Sequence, residues 1–133
     1  MTKEKILVIG GTGFLGSRIA DYLEREDYEI SILSRDVNKQ NKGYNSYTCD
    51  IAGGGITLEE AIEESDVVIH CAGKVSYSPK EKDLLYKLHV DGTVNIVDIC
   101  LRLNKKLIYT SSAAVLGISN NPYGNVEEQL PQI

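Results

Sequence analysis

The sequence predicts an α/β protein built as a doubly wound parallel sheet with strand order 3-2-1-4-5. Three observations carry that expectation. Short apolar runs typical of fully buried strands alternate with segments whose apolar residues recur at helical spacing. The first run passes directly into Gly10-Gly-Thr-Gly13-Phe-Leu-Gly16, a tight turn that opens a helix. The 133 residues, 42% hydrophobic and 25% charged, have the size and composition of one ordinary globular domain. Strands joined through helices require right-handed crossovers, which place helices on both faces of the sheet.

Ile6-Leu-Val-Ile9 is the first strand, and Phe14 to Arg25 is the first helix, with Leu15, Ile19 and Leu23 at helical spacing. Tyr28 to Leu33 makes the second strand through Ile30, Ile32 and Leu33. The polar stretch from Asp36 to Asn45 carries no clear helix pattern and leads into a short third strand, Tyr44 to Cys49. Thr57 to Glu64 is a brief helix with Leu58, Ala61 and Ile62 inward, and Val67-Val-Ile-His-Cys71 is a fourth strand ending at Ala72-Gly73.

A long helix starts after Pro79, a residue suited to a first helical turn, and runs to about Leu103; Lys106 to Thr110 is the fifth strand. Its apolar residues form two faces. One takes Val90, Val94, Val97 and Leu101; the other takes Leu85, Leu88, Gly92, Ile96, Ile99 and Leu103. Two such faces exceed what a helix with one side in water requires, so something besides the sheet is expected to cover one of them. From Gly117 to Ile133 the composition turns to Asn, Pro, Gly and Glu and reads as a loop.

Several function classes are excluded early. Fourteen Lys and Arg against 19 Asp and Glu leave a net charge of −5, with no basic block to neutralise phosphates, so nucleic acid is not an expected partner. Cys49, Cys71 and Cys100 are odd in number and widely spaced, which argues against a disulfide framework or a metal-binding cysteine pair. His70 and His89 lack carboxylate or thiolate companions at ligand spacing, so no metal is expected either. No apolar run approaches the roughly 20 residues of a membrane span, and Met1-Thr-Lys-Glu-Lys5 leads straight into a strand without a signal peptide's apolar stretch. The expectation is a soluble cytoplasmic protein with no membrane partner.

Candidate function gathers where the strand order reverses, at the carboxyl ends of strands 1 and 4. A glycine-rich turn between a strand and a helix gives backbone room for a pyrophosphate, and the helix N-terminus favours an anion by roughly 0.3–2 kcal/mol. Gly10, Thr12, Gly13, Phe14, Leu15 and Gly16 are therefore candidate phosphate-binding residues. The end of strand 2 should approach the adenosine ribose, and the residues there are Ser34-Arg35-Asp36. A cation in this place suits the 2′-phosphate of NADP and a carboxylate suits the 2′-hydroxyl of NAD. Ser34 followed by Arg35 favours NADP, with Asp36 as the competing signal for NAD.

These residues, together with Cys49-Asp50-Ile51, His70-Cys-Ala-Gly73, Asp91-Gly-Thr-Val-Asn95 and Thr110-Ser-Ser-Ala-Ala-Val-Leu-Gly117, resemble the extended short-chain dehydrogenase/reductase family, also described as the NAD-dependent epimerase/dehydratase family. Five motifs occur in the family's order and cover almost the whole chain, and they look most like its dihydroflavonol-reductase branch. The resemblance implies a Rossmann-type NAD(P)-binding domain over residues 1–116. It also implies that Asp50 and Ile51 contact the adenine, that His70, Cys71, Ala72 and Gly73 line the cofactor crevice, and that Ser112 is the catalytic Ser/Thr. His89 stands where the family commonly has Asn.

The family's proton donor is a Tyr followed four residues later by Lys, a spacing that puts both on one helix face. None of the eight tyrosines here has that lysine; the residues four beyond them are Glu26, Ile32, Thr48, Ile51, Glu81, Val90, Ala113 and Glu127. The chain therefore reads as the truncated, cofactor-binding portion of an NADP-dependent oxidoreductase acting on a carbonyl or hydroxyl group of a small molecule. A nucleotide-sugar epimerase or dehydratase is the alternative, and a non-catalytic NAD(P)-binding sensor is a second. The resemblance also implies a homodimer through the helix 80–103, and the face with Leu85, Leu88, Ile96, Ile99 and Leu103 is expected to meet the second copy.

Overall fold

The computed structural model describes residues 2–36 and 43–116. The loop expected over 117–133 lies outside them. Five strands, β1 (Lys5–Ile9), β2 (Glu29–Ser34), β3 (Asn45–Thr48), β4 (Val67–His70) and β5 (Lys106–Tyr109), pair in parallel in the order β3-β2-β1-β4-β5. That is the doubly wound topology, reversing between β1 and β4. Each strand begins or ends within a residue of its sequence-based bounds.

Successive residues of β1 point to opposite sides of the sheet and build two separate cores. Ile6 and Val8 join Ile30, Ile32, Val67 and Ile69 beneath helix α1 (Phe14–Arg25), which contributes Ala20 and, half-buried, Ile19 and Leu23. Leu7 and Ile9 join Leu33, Val68 and the apolar sides of α2 (Ile56–Glu63) and α4 (Gly92–Arg102). With both faces covered, the strands read as continuous apolar runs, which is why Ile6–Ile9 carries no polar alternation.

The long helix is a composite. A 3₁₀ turn at Pro79–Glu81 leads into α3 (Lys82–Tyr86), a π turn over Lys87–Asp91, and then α4. Burial corrects the expected use of its two faces. Leu88, Ile96 and Ile99 are buried against the sheet and α2, whereas Val90, Val94 and Leu101 are exposed, Leu101 by 74%. The face expected to meet a second copy is the one that builds the core. The π turn over Lys87–Asp91 shifts the helical register, so faces drawn on a uniform 3.6-residue period do not decide which set meets the sheet.

Helices α1 and α4 end alike. Asp27 and Asn104 adopt left-handed φ values of 70° and 52° just past the last turn. The amides of Tyr28 and Lys105 then reach back to Leu23 and Cys100 carbonyls at 3.2 and 2.8 Å, a Schellman closure that turns each chain end toward the next strand. The Lys105 ammonium donates to the carbonyls of Glu63 and Ser65 at 2.9 and 2.6 Å, neutralising the negative end of α2.

Candidate functional site

The ends of β1, β2, β3 and β4 open onto one cleft of about 280 Å³, near the lower edge of the roughly 300–1,000 Å³ typical of small-molecule sites. Its first wall is the glycine turn. The Gly10 amide donates to the Leu33 carbonyl at 2.8 Å, and the residue sits at φ +82° with the backbone just after β4 so close that a Cβ would lie 2.7 Å from the Ala72 nitrogen. Gly16 meets the same turn from the helix side, where a Cβ would stand 2.2 Å from the Gly10 carbonyl oxygen. Gly13 faces outward and caps α1 with its backbone alone. Among the described residues no side chain caps that helix, and no acidic residue stands in its first turn, so the amides of Phe14, Leu15 and Gly16 have no partner within the helix. The result is a positive helix end with open donors beside a cleft.

Ser34, Arg35 and Asp36 form the second wall, where the Ser34 hydroxyl accepts from the Asp36 amide at 3.2 Å. Cys49, Asp50 and Ile51 form the third. There the Asp50 carboxylate accepts from the Ala52 amide at 3.0 Å, closing a turn that keeps the side chain at the cleft edge. Cys71, Ala72 and Gly73 make the fourth wall, and Leu88, a residue the glycine motif does not point to, lies against it from the long helix. Burial pushes the Cys49 thiol up, assisted by the charge of Asp50, and pushes the Cys71 thiol up as well. Both sulfurs are therefore neutral thiols at physiological pH and poor nucleophiles.

Of the sequence-based candidates, Gly10, Thr12, Gly13, Ser34, Arg35, Asp50, Ile51, Cys71, Ala72 and Gly73 come together around this cleft. Five do not line it. The side chains of Phe14 and Leu15 are exposed, at 89% and 47%, and Gly16 is buried in the packing of α1 on the turn. Ser112 is exposed after β5, where its hydroxyl accepts from the Ala114 amide at 3.1 Å and opens a 3₁₀ turn over Ala113–Leu116. His70, taken with the crevice motif, lies 1% exposed beneath the cleft with its ring stacked on Tyr109. Among the described residues no three His, Cys, Asp or Glu side chains are grouped to hold a metal, and no helix is long and apolar enough to cross a membrane.

A nicotinamide dinucleotide fits the donor set. The uncapped α1 terminus suits a pyrophosphate, Gly13 leaves its approach clear, and the Arg35–Asp36 and Asp50 walls offer charged partners for ribose and base. The model of the NAD-dependent epimerase/dehydratase family matches residues 6–132. The chain belongs to that family. It is 35% identical over 140 residues to the sterol-4-alpha-carboxylate 3-dehydrogenase, decarboxylating, of Schizosaccharomyces pombe, covering 98% of this chain and 40% of that one. It is 30% identical over 131 residues to anthocyanidin reductase of Arabidopsis thaliana, covering 88% and 38%. Among solved structures, the UDP-glucose 4-epimerase of Thermus thermophilus in complex with NAD superposes with a TM-score of 0.81 at 25% identity, over 96% of this chain and 44% of that one. The chain spans between about three tenths and two fifths of the length of the curated relatives it matches. The curated relatives it matches include a decarboxylase, an epimerase, dehydrogenases and a reductase.

Proposed function

We propose that this chain is the cofactor-binding part of an oxidoreductase that uses NADP(H) on a carbonyl or hydroxyl group of a small molecule. The observation that carries the reading is the placement of Ser34 and Arg35 in the cleft wall at the end of β2, on the same cleft as the uncapped terminus of α1. There the guanidinium can pair with a 2′-phosphate, a bidentate contact that NAD does not offer. The dinucleotide supplies hydride transfer when bound; the chain's part is to hold it through Gly10 to Gly16, Ser34, Arg35, Asp50, Ile51 and Cys71 to Gly73. Ser112 would hold the substrate oxygen. Three free thiols support work in the reducing cytoplasm.

Calorimetric titration tests this reading. NADP⁺ should bind about 10- to 150-fold more tightly than NAD⁺, as a charged hydrogen-bonded pair of roughly 1.5–3 kcal/mol implies, and Arg35→Ala should erase most of the difference. Equal affinities in the unaltered chain would refute NADP preference. With NADPH and a panel of ketones and aldehydes the chain alone should show no turnover, because no tyrosine is followed four residues later by lysine.

A second reading, a nucleotide-sugar epimerase or dehydratase holding NAD, is favoured by Asp36 and Asp50. Both carboxylates line the cleft and could accept the ribose hydroxyls of NAD. Preference for NAD⁺ that is lost in Asp36→Ala would select it.

A further inference from the structure

The composite helix touches both loops that wall the cleft without itself placing a polar side chain there. On one side the Asn95 carboxamide donates to the carbonyls of Ile51 and Ala52, at 2.8 and 3.2 Å. Gly92, one turn earlier, is buried, and a Cβ there would stand 2.7 Å from Ile51 Cγ1. The loop itself meets Asn95 closely, since a Cβ on Gly54 would lie 3.3 Å from Asn95 Nδ2. On the other side His89, within the π turn, brings Nε2 to 2.8 Å from the Lys74 carbonyl oxygen, and its ring lies against Gly73. The Lys74 amide lies 3.3 Å from the same nitrogen, so Nε2 holds one backbone group of Lys74 in either tautomer.

The two loops need such ties. Gly53, Gly54 and Gly55 follow one another in the Asp50 loop, two of them at positive φ, and a glycine run loses the most freedom when ordered. The segment from Cys71 to Ser78 has no helix or strand of its own, and its Val75 and Tyr77 are exposed. A loop ordered before binding spares the ligand that entropic cost. π turns, moreover, gather at functional sites.

We infer that Asn95 and His89 are positioning residues of the dinucleotide cleft, each serving one half of the ligand. Asn95 fixes the Asp50–Gly54 turn and with it the adenosine half. His89 fixes Gly73 and Lys74 and with them the nicotinamide half. Neither touches the ligand; each acts through the backbone of a cleft wall. The inference rests on the reading of the cleft as a dinucleotide site.

The test separates the halves. The unaltered chain, Asn95→Ala, Gly54→Ala and His89→Ala are each titrated with ADP and with NADP⁺, with melting temperatures measured alongside. Asn95→Ala should lose about tenfold in affinity for both ligands. Gly54→Ala, which disturbs the same contact from the loop side and leaves the helix intact, should do likewise and decides the matter if Asn95→Ala fails to fold. His89→Ala should hold ADP within twofold of the unaltered chain while losing about fivefold or more for NADP⁺. Losses of equal size for both ligands in His89→Ala, or unchanged ADP affinity in the Asn95 and Gly54 variants, would overturn the assignment. Failure of the unaltered chain to bind either ligand would instead remove the dinucleotide reading on which it rests.

Discussion

His70 Nε2 lies 3.0 Å from the Thr93 hydroxyl, joining the last residue of β4 to the start of α4, while its Nδ1 is buried and has no partner among the described residues. An imidazolium would need acceptors at both nitrogens. Burial, reinforced by the charge of His89, accordingly pushes the His70 pKa down to about 4 from an ordinary 6.5. The unfolded chain thus binds a proton that the folded chain refuses between those values, so stability is full above pH 6.5 and falls as pH drops toward 4. From pH 7.5 to 5.0 this one group should cost about 2 kcal/mol. Urea unfolding at the two pH values should show that loss relative to His70→Gln, in which this component is absent. An equal pH dependence in both proteins would mean that His70 is not held neutral.

The two glycines of the turn should part company when replaced. Gly16→Ala forces a methyl to 2.2 Å from the Gly10 carbonyl oxygen, so the helix must shift and stability should fall by about 1–3 kcal/mol. Gly13 is exposed and its added Cβ would meet only the Gly10 oxygen, at 3.2 Å. Gly13→Ala should therefore cost less stability than Gly16→Ala yet bind a dinucleotide at least tenfold more weakly. Chemical denaturation alongside calorimetry checks both halves of the contrast.

The outer face of α4 gives a third expectation. Ile96 is fully buried, and Ile96→Ala should cost about 2–5 kcal/mol. Val94 and Leu101 are 50% and 74% exposed, so Val94→Glu with Leu101→Glu should leave folding within about 0.5 kcal/mol of the parent. We propose that a second copy covers this outer face, at about 25 cal/mol per Å² of apolar surface before association costs are subtracted. Light scattering at micromolar concentration should show a dimer in the parent and a monomer in the double variant; a monomeric parent would dismiss the assembly.

Much of this architecture was legible because strands buried on both faces leave continuous apolar runs, as in Ile6–Ile9 and Val67–Ile69, and because glycine turns fix a strand–helix junction. The faces of the long helix were not legible. Leu88, Ile96 and Ile99 alternate with Val90, Val94 and Leu101 closely enough that either set could have met the sheet, and a π turn inside the helix shifts the register that a uniform 3.6-residue period assumes. The cleft walls were read from local motifs; Asn95 stood in such a motif and His89 beside it, but their contacts with the cleft loops, like that of Leu88 with the cleft, span 15 to 44 residues or more and follow only from the tertiary fold.

The most direct test of the central claim is an amide NMR titration of the isotope-labelled chain with NADP⁺. The account predicts saturable shifts concentrated at Gly10 to Gly16, Ser34 to Asp36, Asp50 to Ala52 and Cys71 to Lys74, with the outer side of α1 around Tyr22 and the outer face of α4 around Leu101 unmoved. Shifts centred on another surface, or none at millimolar ligand, would contradict it.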